Sequence, residues 1–318
     1  MTKLIQITEV GPRDGFQNIQ DPIPTTLKMN IIDNLVAAGI KHLEITSMVS
    51  PKAIPQMADA REVIKHVLHT HPQITPYVLV PNVKGAQLAA DNHITHVNYV
   101  ISVSPLHNQA NINRTHQQSL DDLYSIRQNL PELDITLSLA TVFGCPFIGA
   151  TDVNVMLDII KFADEHGIGK ITLCDTIGVA TPLQTLRILR VIQQAFPSID
   201  VGLHMHNTHG MALASMAAGL QSGITRFETA VGGLGGCPFA PGAAGNAATE
   251  DAVNMFNRMG FDSAISLEGV LRVSALIKET IDPNLLSSLS RARTYSEFNF
   301  DSAHAMPDND HGSIKYGK

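Results

Sequence analysis

The chain predicts an α/β fold, a closed (β/α)8 or TIM barrel with additional C-terminal helices, on three observations. Short apolar, β-branched-rich runs alternate strictly with amphipathic stretches, which demands parallel strands joined by right-handed crossovers. Eight such runs can be counted. The length of 318 residues suits one barrel of about 250 residues with appendages. An open doubly wound sheet is the rival arrangement, because periodicity alone does not establish closure. Against it, no Gly-x-Gly-x-x-Gly turn follows the first strand.

The first strand, residues 4–10, is broken by Gly11-Pro12-Arg13-Asp14-Gly15, which puts Arg13 and Asp14 immediately after it. A helix follows over 25–38, with apolar side chains at Leu27, Ile31, Leu35 and Val36 and a stop at Gly39. Further strands are expected at 42–46, 75–80, 96–102, 135–141, 170–174, 200–206 and 225–229. Helices are expected between them at about 59–68, 84–91, 116–129, 153–166, 182–195 and 210–222. One domain over 1–300 results, with the barrel at about 4–260 and extra helices in about 261–300, densest over 266–290. Residues 301–318 are polar and aperiodic and read as a flexible tail.

The hydrophobic fraction of 44% suffices for a sizeable core, and a net charge of −7 speaks against nucleic acid as a partner. The three cysteines, Cys145, Cys174 and Cys237, are an odd number, and no signal-peptide features precede the first strand. No disulfide framework is expected, and the cytoplasm is the expected compartment. No apolar stretch reaches the roughly 18 residues that would span a membrane.

In such a barrel the chemistry collects at the C-terminal ends of the strands. There the chain offers Arg13 and Asp14, Glu44 and Ser47, Asn82, Ser102 and Ser104, Thr141 and Cys145, Asp175, His204 and His206, and Glu228. His204 and His206 stand two apart on one strand, so their rings point to the same face. With Asp14 they supply two imidazoles and a carboxylate for a divalent ion, leaving positions for substrate oxygens. Mg2+ or Mn2+ suits such a set, and Zn2+ or Co2+ also fits. Asn246 either adds an amide-oxygen ligand or caps a helix over 247–255. Arg13 either stabilises a developing oxyanion or pairs with a carboxylate such as Glu44. The glycine-rich stretch 232–238 reads as a mobile lid carrying Cys237, an acid or base if it faces the site and a small core residue if it does not. Cys174 is assigned to the core.

Taken together, Val10-Gly11-Pro12-Arg13-Asp14-Gly15, Glu44-Ile45-Thr46-Ser47 with Ser50-Pro51-Lys52, Asp175-Thr176-Ile177-Gly178, the His204/His206 stretch, and residues 232–238 with Gly245-Asn246 carry a pattern. It strongly resembles 3-hydroxy-3-methylglutaryl-CoA lyases, within the TIM-barrel metallolyases. The resemblance implies cleavage of a 3-hydroxyacyl-CoA thioester to acetyl-CoA and a 3-oxo acid, with Mg2+ or Mn2+ held by Asp14, His204, His206 and Asn246. It implies that Arg13 stabilises the enolate, that Cys237 helps protonate it, and that Glu44 and Asp175 support the site. It also implies a homodimer.

Two departures stand out. The family's usual Asp-Thr-Tyr-Gly after the histidines is here Asn207-Thr208-His209-Gly210, and its Leu-Gln-Asn-Glu after the Arg-Asp pair is Phe16-Gln17-Asn18-Ile19. Both remove carboxylates near the mouth, so a related thioester, of the citramalyl or branched 3-hydroxyglutaryl type, is the alternative substrate. A condensing synthase and a non-catalytic metal- or acyl-CoA-binding barrel are the remaining alternatives.

Overall fold

The computed structural model describes residues 4–236 and 245–292. Eight parallel strands close into a barrel in sequence order: β1 (Gln6–Glu9), β2 (His42–Ser47), β3 (Thr75–Val80), β4 (His96–Ser102), β5 (Asp134–Ala140), β6 (Lys170–Asp175), β7 (Asp200–Met205) and β8 (Arg226–Thr229). Closure runs through β1 and β8, where Gln6 pairs with Arg226 and Glu9 with Thr229. The barrel is therefore closed, and the doubly wound alternative falls.

The helices are α1 (Thr25–Ala37), α2 (Ala60–Thr70), α3 (Val83–Asp91), α4 (Pro105–Ile112), α5 (His116–Asn129), α6 (Val153–Glu165), α7 (Pro182–Ala195), α8 (Ala212–Gln221), α9 (Thr249–Arg258) and α10 (Leu267–Thr280). Helix α4 was not expected, although Ser104 caps it through the His107 N–H and Pro105 occupies its first position. The additional C-terminal helices reduce, among the described residues, to α10. It ends before Asp282-Pro283, because a residue preceding proline is disfavoured in helical conformation. Helix α10 lies tight on α1: a Cβ at Gly269 would come within 2.7 Å of the Ala38 Cβ. The tail expected over 301–318 lies outside the described residues.

The apolar core fills the layer between strands and helices, with Tyr99, Leu137, Leu139, Ile171, Leu173, Leu203, Met205 and Phe227 all buried. Side chains of opposite parity on the same strands turn into the barrel, and many are polar. Ser138 donates to Asn98 (2.7 Å), Asn98 to Glu44 (3.0 Å), and Thr172 to Glu228 (3.0 Å). These bonds satisfy buried polar groups that would otherwise be costly, and they lead upward to the residues at the mouth.

Candidate active site

After β1 the chain makes a single wide turn over Gly11–Gly15 in which the amides of Asp14 and Gly15 both reach back to the Val10 carbonyl. Turns of this π type recur at functional sites because they re-aim side chains. Here the turn buries Arg13 and Asp14 at the barrel mouth. Arg13 touches Glu44 Oε2 through Nε and Nη2, each at 2.5 Å, and Asp14 Oδ1 through Nη1 at 2.6 Å. The structural pairing that the sequence allowed for Arg13 is therefore present. These contacts occupy three of the five guanidinium donors, so the same side chain keeps donors for a further oxygen.

His204 on β7 and His206 just beyond it turn to one side, as their spacing requires. Their Nε2 atoms face each other at 3.1 Å. His204 Nδ1 bonds to Glu228 Oε2 at 2.9 Å, which leaves Nε2 as the free lone pair. Carboxylate-braced imidazoles of this kind are characteristic of metal ligands. Ligand atoms of Asp14, His204 and His206 lie within 4.8 Å of one another. Asn246 joins them: its Nδ2 donates to Asp14 Oδ2 at 2.7 Å and to the Leu234 carbonyl at 2.9 Å, while its buried Oδ1 has no hydrogen-bond partner. The cap of α9 is Ala248, so Asn246 does not serve as a helix cap. Two facing imidazole nitrogens, a carboxylate and an orphaned amide oxygen fit a divalent cation.

The electrostatics prepare the ligand forms. Burial alone would lift the Asp14 pKa, but Arg13 and the two imidazoles bring it down to about 2. Burial opposes charge on His204, yet its bond to Glu228 holds its pKa above the ordinary value. Burial and the neighbouring His204 lower His206 to about 4. At neutral pH Asp14 is thus an anion and His206 neutral, the states that bind metal.

The other expected residues divide. Glu44 stands on β2 beneath Arg13 and orients it. Asp175, at the end of β6, accepts the amides of Val179 and Ala180, each at 2.9 Å, so it braces its own loop. Burial raises its pKa to about 6, against those bonds and the nearby His204. Cys174 is buried and free, as is Cys145, whose Sγ bonds to Ser104 Oγ at 3.0 Å. Cys237 lies outside the described residues. Of the glycine-rich stretch, residues 232–236 are described, and the part through Leu234 is tied down: the amides of Gly233 and Leu234 bond to the carbonyls of Ala230 and Val231. Asn82 and Ser104 are helix caps. Glu228 stands among the strand-end residues that the sequence offers, without a role there, whereas Asn98 and Ser138 are not among them. Their signal was a polar residue at every second position of a strand that, buried on both faces, ought to read as continuously apolar.

A family model described as HMGL-like matches residues 4–277. The chain belongs to the HMGL-like family. It is similar to the hydroxymethylglutaryl-CoA lyase YngG of Bacillus subtilis, 39% identical over 287 residues that cover 90% of this chain and 96% of that one. It is also similar to the (R)-citramalyl-CoA lyase of Chloroflexus aurantiacus, 35% identical with 91% and 94% covered. Among solved structures, an HMG-CoA lyase of Acinetobacter baumannii in complex with coenzyme A and 3-methylmalate superposes with a TM-score of 0.88 at 37% identity, covering 94% of this chain and 99% of that one. This HMGL-like protein is a lyase that breaks a carbon–carbon bond.

Proposed function

We propose that this HMGL-like lyase cleaves 3-hydroxy-3-methylglutaryl-CoA to acetyl-CoA and acetoacetate. The observation that carries the proposal is the convergence of Asp14, His204, His206 and the orphaned Asn246 Oδ1 beside the Arg13 guanidinium. Asp14, His204, His206 and Asn246 would hold Mg2+ or Mn2+, which supplies Lewis-acid polarisation to the substrate hydroxyl and carboxylate oxygens. Arg13, pinned by Glu44, offers its remaining donors to the thioester oxygen, where negative charge develops as the C2–C3 bond breaks. Cys237 is assigned the return of a proton to the acetyl carbon. Glu228 fixes the His204 tautomer, and Asp175 holds the loop after β6 in place.

A second substrate, citramalyl-CoA, is favoured by the loop after β7. Asn207 binds the Gly245 carbonyl and accepts the Ala212 amide, and His209 Nδ1 donates to the Gly178 carbonyl at 2.9 Å. Both positions therefore shape the mouth without the carboxylate that the family usually places there, and a named citramalyl-CoA lyase is 35% identical. The test is acetyl-CoA release from each thioester with Mg2+ or Mn2+. A higher kcat/KM for one assigns the substrate, and release from neither overturns the proposal.

The chain is further assigned as a cytoplasmic homodimer. Its two described cysteines are free, and no described helix is long and apolar enough to cross a membrane. Sedimentation equilibrium checks the dimer, and a monomer at micromolar concentration overturns it.

A further inference from the structure

A second group of metal-ligating side chains sits on the outside of the barrel, between α1 and α2. Asp33 lies on α1, His66 on α2, and His71 is the residue that ends α2. His66 Nε2 stands 2.7 Å from Asp33 Oδ1, and His71 Nε2 stands 2.6 Å from the same oxygen. One ligand atom from each residue lies within 4.8 Å of the other two.

The backbone builds this convergence. Side chains five apart on a continuous helix diverge by about 140°, so His66 and His71 would not meet if α2 simply ran on. His71 instead leaves the helix at φ −128°, ψ 58°, while its amide stays bonded to the Val67 carbonyl at 2.8 Å. That turn brings its ring back toward α1. The two rings meet edge-on, centroids 6.1 Å apart and planes at 79°, so they aim nitrogens at a common point instead of stacking. The side chains are 24%, 13% and 37% exposed for His66, His71 and Asp33. One side of the cluster is walled by the helices and the other is open to water.

We propose that Asp33, His66 and His71 form a second divalent-cation site that takes Zn2+ and clamps α1 to α2, apart from the site at the barrel mouth. Two imidazoles with one carboxylate suit Zn2+, which accepts nitrogen readily, and not Mg2+, which prefers oxygen. Tetrahedral zinc with bonds near 2.0–2.1 Å sets its ligand atoms about 3.3 Å apart. The cluster reaches that spacing by separating each nitrogen from Asp33 Oδ1 by less than an ångström, within reach of side-chain rotation at a partly exposed seam. Water completes the shell.

The test is calorimetric titration of Zn2+ into the full chain and into the His66→Gln/His71→Gln variant. The variant is expected to bind one zinc equivalent fewer, and zinc is expected to raise the Tm of the variant less than that of the unaltered chain. Equal zinc stoichiometry in the two proteins overturns the site. If circular dichroism shows the double variant unfolded, Asp33→Asn replaces it. That change keeps size and shape and removes the anionic ligand, so zinc binding should weaken by at least about tenfold at this site, and unchanged binding overturns it.

Discussion

Arg13 carries two demands on one side chain. Its guanidinium pairs with both Glu44 and Asp14 and still has donors left for a further oxygen, a division that a lysine cannot reproduce. Arg13→Met is expected to lower kcat by about 10³-fold or more with a small change in KM, because the interaction lost is one made as charge develops. A fall of less than tenfold in steady-state turnover would remove Arg13 from the chemistry and leave it a structural ion pair. Glu228 acts one step further out. With Oε2 on His204 and Oε1 on Thr172, it fixes which imidazole nitrogen is free. Glu228→Gln keeps the shape and loses the charge, so the Mn2+ activation constant should rise about 10–100-fold. Saturating Mn2+ should recover most of the turnover, which a folding defect would not allow.

At the scale of elements, the turn after β1 and the glycine-rich segment after β8 meet beside Asp14 and Asn246. Gly235 is in the left-handed region at φ +103°, and a Cβ there would fall 2.5 Å from Asn246 Nδ2 and 3.2 Å from Asp14 Oδ2. Gly235→Ala should therefore separate Asp14 from Asn246 and cut metal-dependent turnover. Gly149→Ala is the control: its φ of +72° is also positive, but a Cβ there meets nothing within 4 Å. Both variants should lose about 1–3 kcal/mol of stability by denaturant unfolding, and only the first should lose activity. Equal activity losses would place the effect in backbone strain alone.

These elements differ in how far the sequence discloses them. The alternation of strands and helices, and the pairs Arg13-Asp14 and His204-x-His206, are local patterns, so periodicity reveals them. Glu228 and Asn246 stand 24 and 42 residues from His204, outside any local pattern: pairing of β7 with β8 sets Glu228 beside His204, and Asn246, which spacing alone left open between ligand and helix cap, is bridged to His206 by the return of the chain after β8. Asp33, His66 and His71 converge only because α2 ends where it does, and no sequence periodicity encodes that end.

For the whole molecule, closing the barrel depends on the seam between β1 and β8, and a buried carboxylate sits across it. Glu9 Oε1 accepts the amides of Gly11 (2.8 Å) and Val231 (2.9 Å), while Oε2 accepts the Thr249 hydroxyl at 2.5 Å. One side chain thus ties the end of β1, the turn after β8 and the start of α9. Burial outweighs these three bonds and lifts the Glu9 pKa from its ordinary 4.5 to about 7. A folded state that holds the proton more tightly than the unfolded chain is favoured at low pH. The contribution is complete below about 4.5, declines as pH rises toward 7, and stays lost above that. Glu9→Gln removes the titration and keeps the contacts. Its amide oxygen accepts both backbone N–H groups, and its amide NH2 donates to the Thr249 oxygen, which can turn its proton to Thr229, 2.7 Å away. At pH 8 the variant should be the more stable protein by on the order of 3 kcal/mol, and the gap should close as the pH falls to 5. Urea unfolding at both pH values measures the gap. A difference that does not change with pH would mean that Glu9 carries no proton-linked cost at the seam.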